Sequence, residues 1–254
     1  MATALAEYAD HAGPWPGIPT SASFPIRLIV TRSAARYDSL TAGRLPDWSA
    51  GAAFPASNTI VLRVNGDPFP TLTHELAHLA LHQVAPRVPL WFAEGYAARA
   101  AGEWNRLDAL ELNWALMAGG APTFTRLDQE LRSGRANARA AYAMATAGVL
   151  FLERLGGARG LEPLISNLAE TGRFDLAVRR THLLTIDQLE RLWHRDLRSR
   201  YGWVRIFTSF ALFWGLTAVM VGVVWLRRRR RDRERKARLD EGWTVPGEDA
   251  GESA

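Results

Sequence analysis

Between Ile206 and Leu226 the chain runs 21 residues without a charge, IFTSFALFWGLTAVMVGVVWL. At about 1.5 Å of rise per helical residue this is enough to cross the roughly 30 Å hydrocarbon layer of a bilayer. The run is expected to be a transmembrane helix. Trp203 and Trp225 stand near its ends as interface anchors would, and Arg227 to Arg231 form an unbroken stop block directly after it. Residues 1–205 must therefore fold without that segment.

The nine basic residues of 227–238 outnumber Arg195, Arg198, Arg200 and Arg205 before the span, so the positive-inside rule places the C-terminus in the cytoplasm and residues 1–205 outside. The opening MATALAEYADHAGPWPG has no basic n-region and no apolar run of leader length. Export then calls for a leader upstream of the sequence given, with a late-acting signal in the span, or a cytoplasm-facing tail anchor, as alternatives. The arginine block is explained by orientation and anionic headgroups, and nucleic-acid binding is not expected. After Arg238 the acidic, Pro- and Gly-containing tail has no periodic apolar face and is expected to be disordered.

In PIRLIVTR and TIVLRV, Ile26, Leu28 and Val30, then Ile60, Leu62 and Val64, alternate in the manner of half-buried strands. From Thr71 onward the periodicity predicts helices over about 71–84, 90–101, 106–117, 138–155, 160–170 and 185–200. Leu107, Leu110, Trp114 and Met117 define the expected inner face of the third, and Thr185 and Gln188 a capping box for the last. Strands first and helices afterwards describe an α+β class: a small N-terminal sheet followed by a mostly helical domain.

The 254 residues include six His and no Cys, which excludes disulfides, Cys-ligated metal and thiol nucleophiles together. Any metal must use His, Asp or Glu. Inside the first predicted helix stands His74-Glu75-Leu76-Ala77-His78. Residues four apart lie above one another on a helix, so the two imidazoles can converge on one ion at the roughly 2.0–2.1 Å that zinc requires. Glu75, about 100° round the helix, can reach a water rather than the ion. Two imidazoles under-coordinate a divalent ion, and Glu94 is the expected third ligand. Trp91, Phe92 and Tyr96 flank it, and an ionised carboxylate in apolar surroundings needs a partner such as a metal. His82 continues the series, but eight residues of helix carry it about 12 Å from His74, so it is read as structural.

The segments THELAH (73–78) and WFAEGYA (91–97) resemble the HExxH motif and the W-x-x-E-G-[FY]-A ligand helix of the gluzincin metallopeptidases. The likeness is closest to the compact peptidase MA-like group related to aminopeptidase N-like enzymes. It extends loosely from Ile26 to Trp203 and includes Ala141-Tyr142-Ala143. It implies a zincin-like catalytic domain acting on peptide or protein substrates, with one zinc per chain held by His74, His78 and Glu94. It further implies Glu75 as the base that activates water, and a tyrosine that stabilises the oxyanion. Tyr142 is the candidate for that role, whereas Tyr96, beside Glu94, is expected to pack.

Three departures narrow these implications. The spacer from His78 to Glu94 is shorter than in aminopeptidase N-like enzymes. Gly51-Ala52-Ala53-Phe54-Pro55 lacks the glutamate that captures a substrate's free amine there, so an endopeptidase is favoured over an aminopeptidase. That stretch could instead be an edge strand that pairs with an extended peptide. Ala98 stands where thermolysin-like relatives carry an aspartate behind a zinc histidine, which leaves the orienting group unidentified. The rival functional class is a catalytically inactive, peptidase-like scaffold at the membrane surface. Oligomeric state is not readable.

Overall fold

The computed structural model describes residues 1–18, 25–43, 49–133, 138–201 and 203–241. It divides into two compact units, Met1–Trp203 and Val204–Ala254. The first unit holds three strands, β1 (Arg27–Thr31), β2 (Gly51–Phe54) and β3 (Thr59–Arg63), in the order β1-β3-β2. β1 runs parallel to β3 with Leu28 opposite Ile60 and Val30 opposite Leu62, and β2 runs antiparallel with Gly51 opposite Leu62. Helix α1 (Ala2–His11) precedes the sheet, and α2 (Ala34–Thr41) lies in the connection between β1 and β2.

The strands expected around Ile26 and Ile60 are present, but β3 is not half-buried. Ile60, Val61 and Leu62 are all buried. Ile60 and Leu62 join the main core, whereas Val61 is covered separately, together with its register partner Ala52 and with Tyr37 of α2. A central strand enclosed on both faces reads as a continuous apolar run, which the alternation template misses.

Eight further helices follow among the described residues of this unit: α3 (Pro68–Val84), α4 (Leu90–Ala100), α5 (Arg106–Gly119), α6 (Phe124–Ser133), α7 (Ala138–Leu155), α8 (Glu162–Thr171), α9 (Phe174–His182) and α10 (Ile186–Tyr201). α3 starts three residues earlier than its periodicity suggests, because Asp67 accepts a hydrogen bond from the Phe69 amide at 3.2 Å and Pro68 fits the first helical position. The Thr185–Gln188 box forms as expected, with both bonds made, at 2.8 and 3.3 Å. The short helices α1, α2, α6 and α9 were not legible in the periodicity.

The packing of α4 is the most specified in the unit. Its first turn has no local cap, and Asp128 of α6 supplies one by accepting from the Trp91 amide at 2.7 Å. Trp91 stacks on Phe124, ring centroids 4.3 Å apart, and Phe124 stacks in turn on Trp193 of α10 at 4.7 Å. Along its length α4 lies against α7. A Cβ on Gly95 would press into the Ala145 carbonyl oxygen, and one on Gly148 would come within 2.9 Å of the Trp91 ring. Arg99 closes the contact with a bidentate bond to Glu153 of α7, at 2.8 and 2.9 Å.

The expectation for α5 needs correction. Leu110, Trp114 and Met117 face solvent, and the helix instead buries Leu112 and Asn113. Leu107 lies outside the described side chains. α5 is apolar on both sides, so its sequence offers two candidate inner faces and tertiary packing chose the other one.

The second unit contains most of α11 (Trp203–Glu241), a single 39-residue helix. Its apolar side chains from Phe213 to Leu226 are nearly all exposed. The side chains of 203–212, where the expected span begins, lie outside the description, and among the described residues no helix is long and apolar enough to cross a membrane. The helix also runs past Arg238 to Glu241, where disorder was expected, because Arg, Leu and Glu there are strong helix formers. The tail from 242 onward lies outside the described residues.

Gly95→Ala is expected to lower stability by about 1–3 kcal/mol, the usual cost of overpacking a closed contact. The thermal midpoint of the purified variant checks this, and an unchanged midpoint would mean that α4 and α7 are not in close contact.

Candidate metal centre

α3 presents His74, Glu75 and His78, and α4 brings Glu94 to the same place. The Nε2 atoms of His74 and His78 lie 3.6 and 3.7 Å from Glu94 Oε2. The two imidazole rings stand 4.9 Å apart, and one donor atom from each of the three residues fits within 4.8 Å of the others. A tetrahedral ion with bonds of roughly 2.0–2.1 Å sets its donors about 3.4 Å apart, so the triangle matches one such ion with little adjustment. All three side chains are half-buried, which leaves a side of the triangle open to the cleft.

Behind His74 stands a residue that the sequence reading did not find. Glu103 Oε1 lies 3.0 Å from His74 Nδ1. A carboxylate only accepts, so Nδ1 carries the hydrogen and Nε2 is left facing Glu94. The end of α4 places Glu103 there: Gly102 adopts φ +66°, and the Glu103 amide turns back to the Ala98 carbonyl at 3.0 Å. α4 and the turn that ends it therefore bring both Glu94 and Glu103 to His74. Gly102-Glu103 after a helix was the available signal, but its reach to His74 is a tertiary fact.

Glu75 is buried, with β2 folded over it. A Cβ on Gly51 would lie 2.6 Å from Glu75 Oε1, so a larger residue there would displace the Glu75 carboxylate. The Ala53 amide hydrogen-bonds the Glu75 carboxylate. Burial raises the pKa of Glu75 above the usual carboxylate range, against the pull of His78 and His74. Glu94 behaves oppositely: burial would raise it, but His74 and His78 outweigh that and hold it well below the usual range. Burial likewise opposes a charge on His74, yet its bonds to Glu103 and Glu94 raise its pKa well above the ordinary value. A metal here would compete with a proton for the His74 imidazole.

Tyr142 of α7 lines the same cleft as the triangle and feels the charges of Glu94, Glu75 and Glu103. Burial first, and these carboxylates next, push its phenol above its ordinary pKa, so it stays a hydrogen-bond donor. Tyr96 is fully buried and packs against Phe92, 6.2 Å between centroids. His82 lines the cleft without joining the triangle. His194 bonds the Pro122 carbonyl at 2.9 Å, a contact that ties α10 to the start of α6.

With this geometry in place, comparison with known proteins assigns the class. The Peptidase MA superfamily model matches residues 22–199, and the chain belongs to that superfamily. Its members are peptidase-like and generally metal-dependent, in keeping with the His74, His78 and Glu94 group. No curated protein and no solved structure matches the chain.

Replacing Glu103 by Ala is expected to weaken metal affinity by about 10–100-fold, the usual effect of removing a group that orients a ligand histidine. Glu103→Gln, which keeps an accepting oxygen, should retain most of it. Competition titration against a chelator measures both, and equal affinity in wild type and Glu103→Ala would remove Glu103 from the site.

Proposed function

We propose that the chain is a zinc-dependent endopeptidase anchored to a membrane, and the observation that carries the proposal is the His74, His78 and Glu94 triangle with Glu75 and Tyr142 in the same cleft. Two imidazoles, one carboxylate and an open side are the donor set of a catalytic zinc site rather than a closed structural one. The cleft, of about 2330 Å³, is well above the ~300–1,000 Å³ usual for small-molecule pockets, which favours a polymeric substrate. Its β2 wall, Gly51 to Pro55, has no carboxylate to hold a free amino terminus, which favours internal cleavage.

Zinc, when bound, would lower the pKa of an attacking water and polarise the substrate carbonyl. The chain's own residues supply the remainder. Glu75, buried and steadied by the Ala53 amide, accepts the water's proton and delivers it to the departing amine. Its raised pKa matches that double role, because an acceptor near its own pKa also gives the proton back. Tyr142, kept protonated, donates to the oxygen on which negative charge develops. Glu103 keeps His74 in the tautomer that ligates.

Glu75→Gln is expected to keep about one zinc per chain while hydrolysis of a denatured protein falls by about 10²–10⁴-fold. Tyr142→Phe should reduce kcat by about 10²-fold with metal content unchanged. Elemental analysis beside a peptide-release assay reads both, and full turnover by the Glu75→Gln protein would refute the mechanism.

The uncharged run Ile206–Leu226, the exposed apolar side chains of 213–226 and the arginines that follow support a single-pass anchor with a cytoplasmic C-terminus and an extracytoplasmic peptidase unit. The full chain should stay with membranes through alkaline carbonate washing, and removal of residues 204–254 should release it. Release of the full chain by the wash would argue against a span.

A further inference from the structure

α5 leaves apolar surface uncovered on one face. Leu110, Trp114 and Met117, spaced i, i+4 and i+7, are 45%, 59% and 38% exposed, while Leu112 and Asn113 fasten the opposite side to the core.

The position of the stripe and its flanking charges select the occupant. Trp114, Ala115 and Ala118 form a wall of the same cleft that contains His74 and Glu94. Arg106 precedes Leu110 by one helical turn and Glu111 lies to the side of the stripe, where it faces Arg139 of α7 at 3.7 Å. A helix that lies on anionic lipid carries a basic polar face, whereas α5 has one Arg against Asp108 and Glu111. Three partly exposed side chains also fall far short of the ~800 Å² per partner that a stable dimer buries. A large aromatic side chain set in the wall of an open cleft suits an apolar side chain of an extended polypeptide, since aromatic pairs and aromatic–aliphatic contacts add to the area they bury.

We infer that Trp114, the member of the exposed stripe that lines this cleft, is the receptor there for an apolar side chain of the polypeptide substrate. The inference rests on the peptidase reading above and gives it a substrate class: segments rich in aliphatic or aromatic residues, such as unfolded or partly unfolded protein. Selectivity of this kind is worth about tenfold or more for each well-placed apolar group.

Binding tests it without turnover. The full chain carrying Glu75→Gln, held in lipid nanodiscs, is titrated with fluorescein-labelled Gly/Ser decapeptides bearing one central Phe, Leu, Ser or Asp, and affinity is read by anisotropy. The Phe and Leu peptides should bind about tenfold tighter than the Ser and Asp peptides. Trp114→Ala should abolish that preference and leave the Ser peptide unchanged, and Trp114→Phe, the conservative change, should keep most of it. Absence of any preference in the parent, or its survival in Trp114→Ala, overturns the inference. So does a Trp114→Ala protein whose peptide affinities are intact but whose assembly size by native mass spectrometry has changed, since a second copy would then cover the stripe. A zinc-loaded chain with Glu75 intact that prefers the Phe peptide yet never cleaves it would refute the peptidase reading alone.

Discussion

The close crossing of α4 and α7 is the constraint on which the site depends. His74 and His78 are four residues apart on one helix, and helix geometry alone aligns them. Glu94 belongs to a different helix, and its carboxylate must arrive within a few tenths of an ångström of a set position. Gly95, next to Glu94, brings α4 against the Ala145 backbone, and Gly148 admits the Trp91 ring. The Arg99–Glu153 pair, the Asp128 cap and the Trp91–Phe124–Trp193 stack fix the rotation and height of the helix. Tight packing thus does the positioning that a metal cannot do unaided. Tyr142 sits on α7 itself, so the contact that places the third ligand also brings the phenol to the cleft.

What the sequence disclosed about the site follows the range of each determinant. His74, Glu75 and His78 were legible because one helical turn relates them. Glu94 was legible because an acidic residue among Trp91, Phe92 and Tyr96 calls for a partner. Glu103 was not, because its role depends on a left-handed Gly102 turning the chain back and on α3 lying where that turn points. The close approach of Gly51 to the Glu75 carboxylate was hidden for the same reason. Ala98 on α4 offers no carboxylate, and Glu103 reaches the His74 imidazole from the turn that follows the helix.

The fold divides in the same way. Helices α3, α4, α5, α7, α8 and α10, and strands β1 and β3, were legible in the apolar periodicity. The eight-residue α2 and the nine-residue α9 give the pattern too few repeats to stand out. For α5 the periodicity was real but pointed to the wrong side, because an apolar stripe in sequence marks surface that seeks burial without saying what buries it. In this helix the core takes Leu112, and the stripe remains beside the cleft.

The electrostatics then distribute the roles among carboxylates that composition cannot tell apart. Glu75, Glu94 and Glu103 surround two imidazoles, an excess of negative charge that a divalent cation would offset. Burial acts to raise both Glu75 and Glu94, but only Glu94 has the two imidazoles at 3.6 and 3.7 Å, so it stays ionised as a ligand must. Glu75 lies one residue from His74 but on another face, under β2, where burial prevails and its pKa rises as a proton carrier's should. In the proposed mechanism this divergence suits Glu94 to hold a metal and Glu75 to carry a proton. That divergence comes from the angle between successive residues on α3 and from the arrival of α4, so the chemistry of the site is a property of the packing.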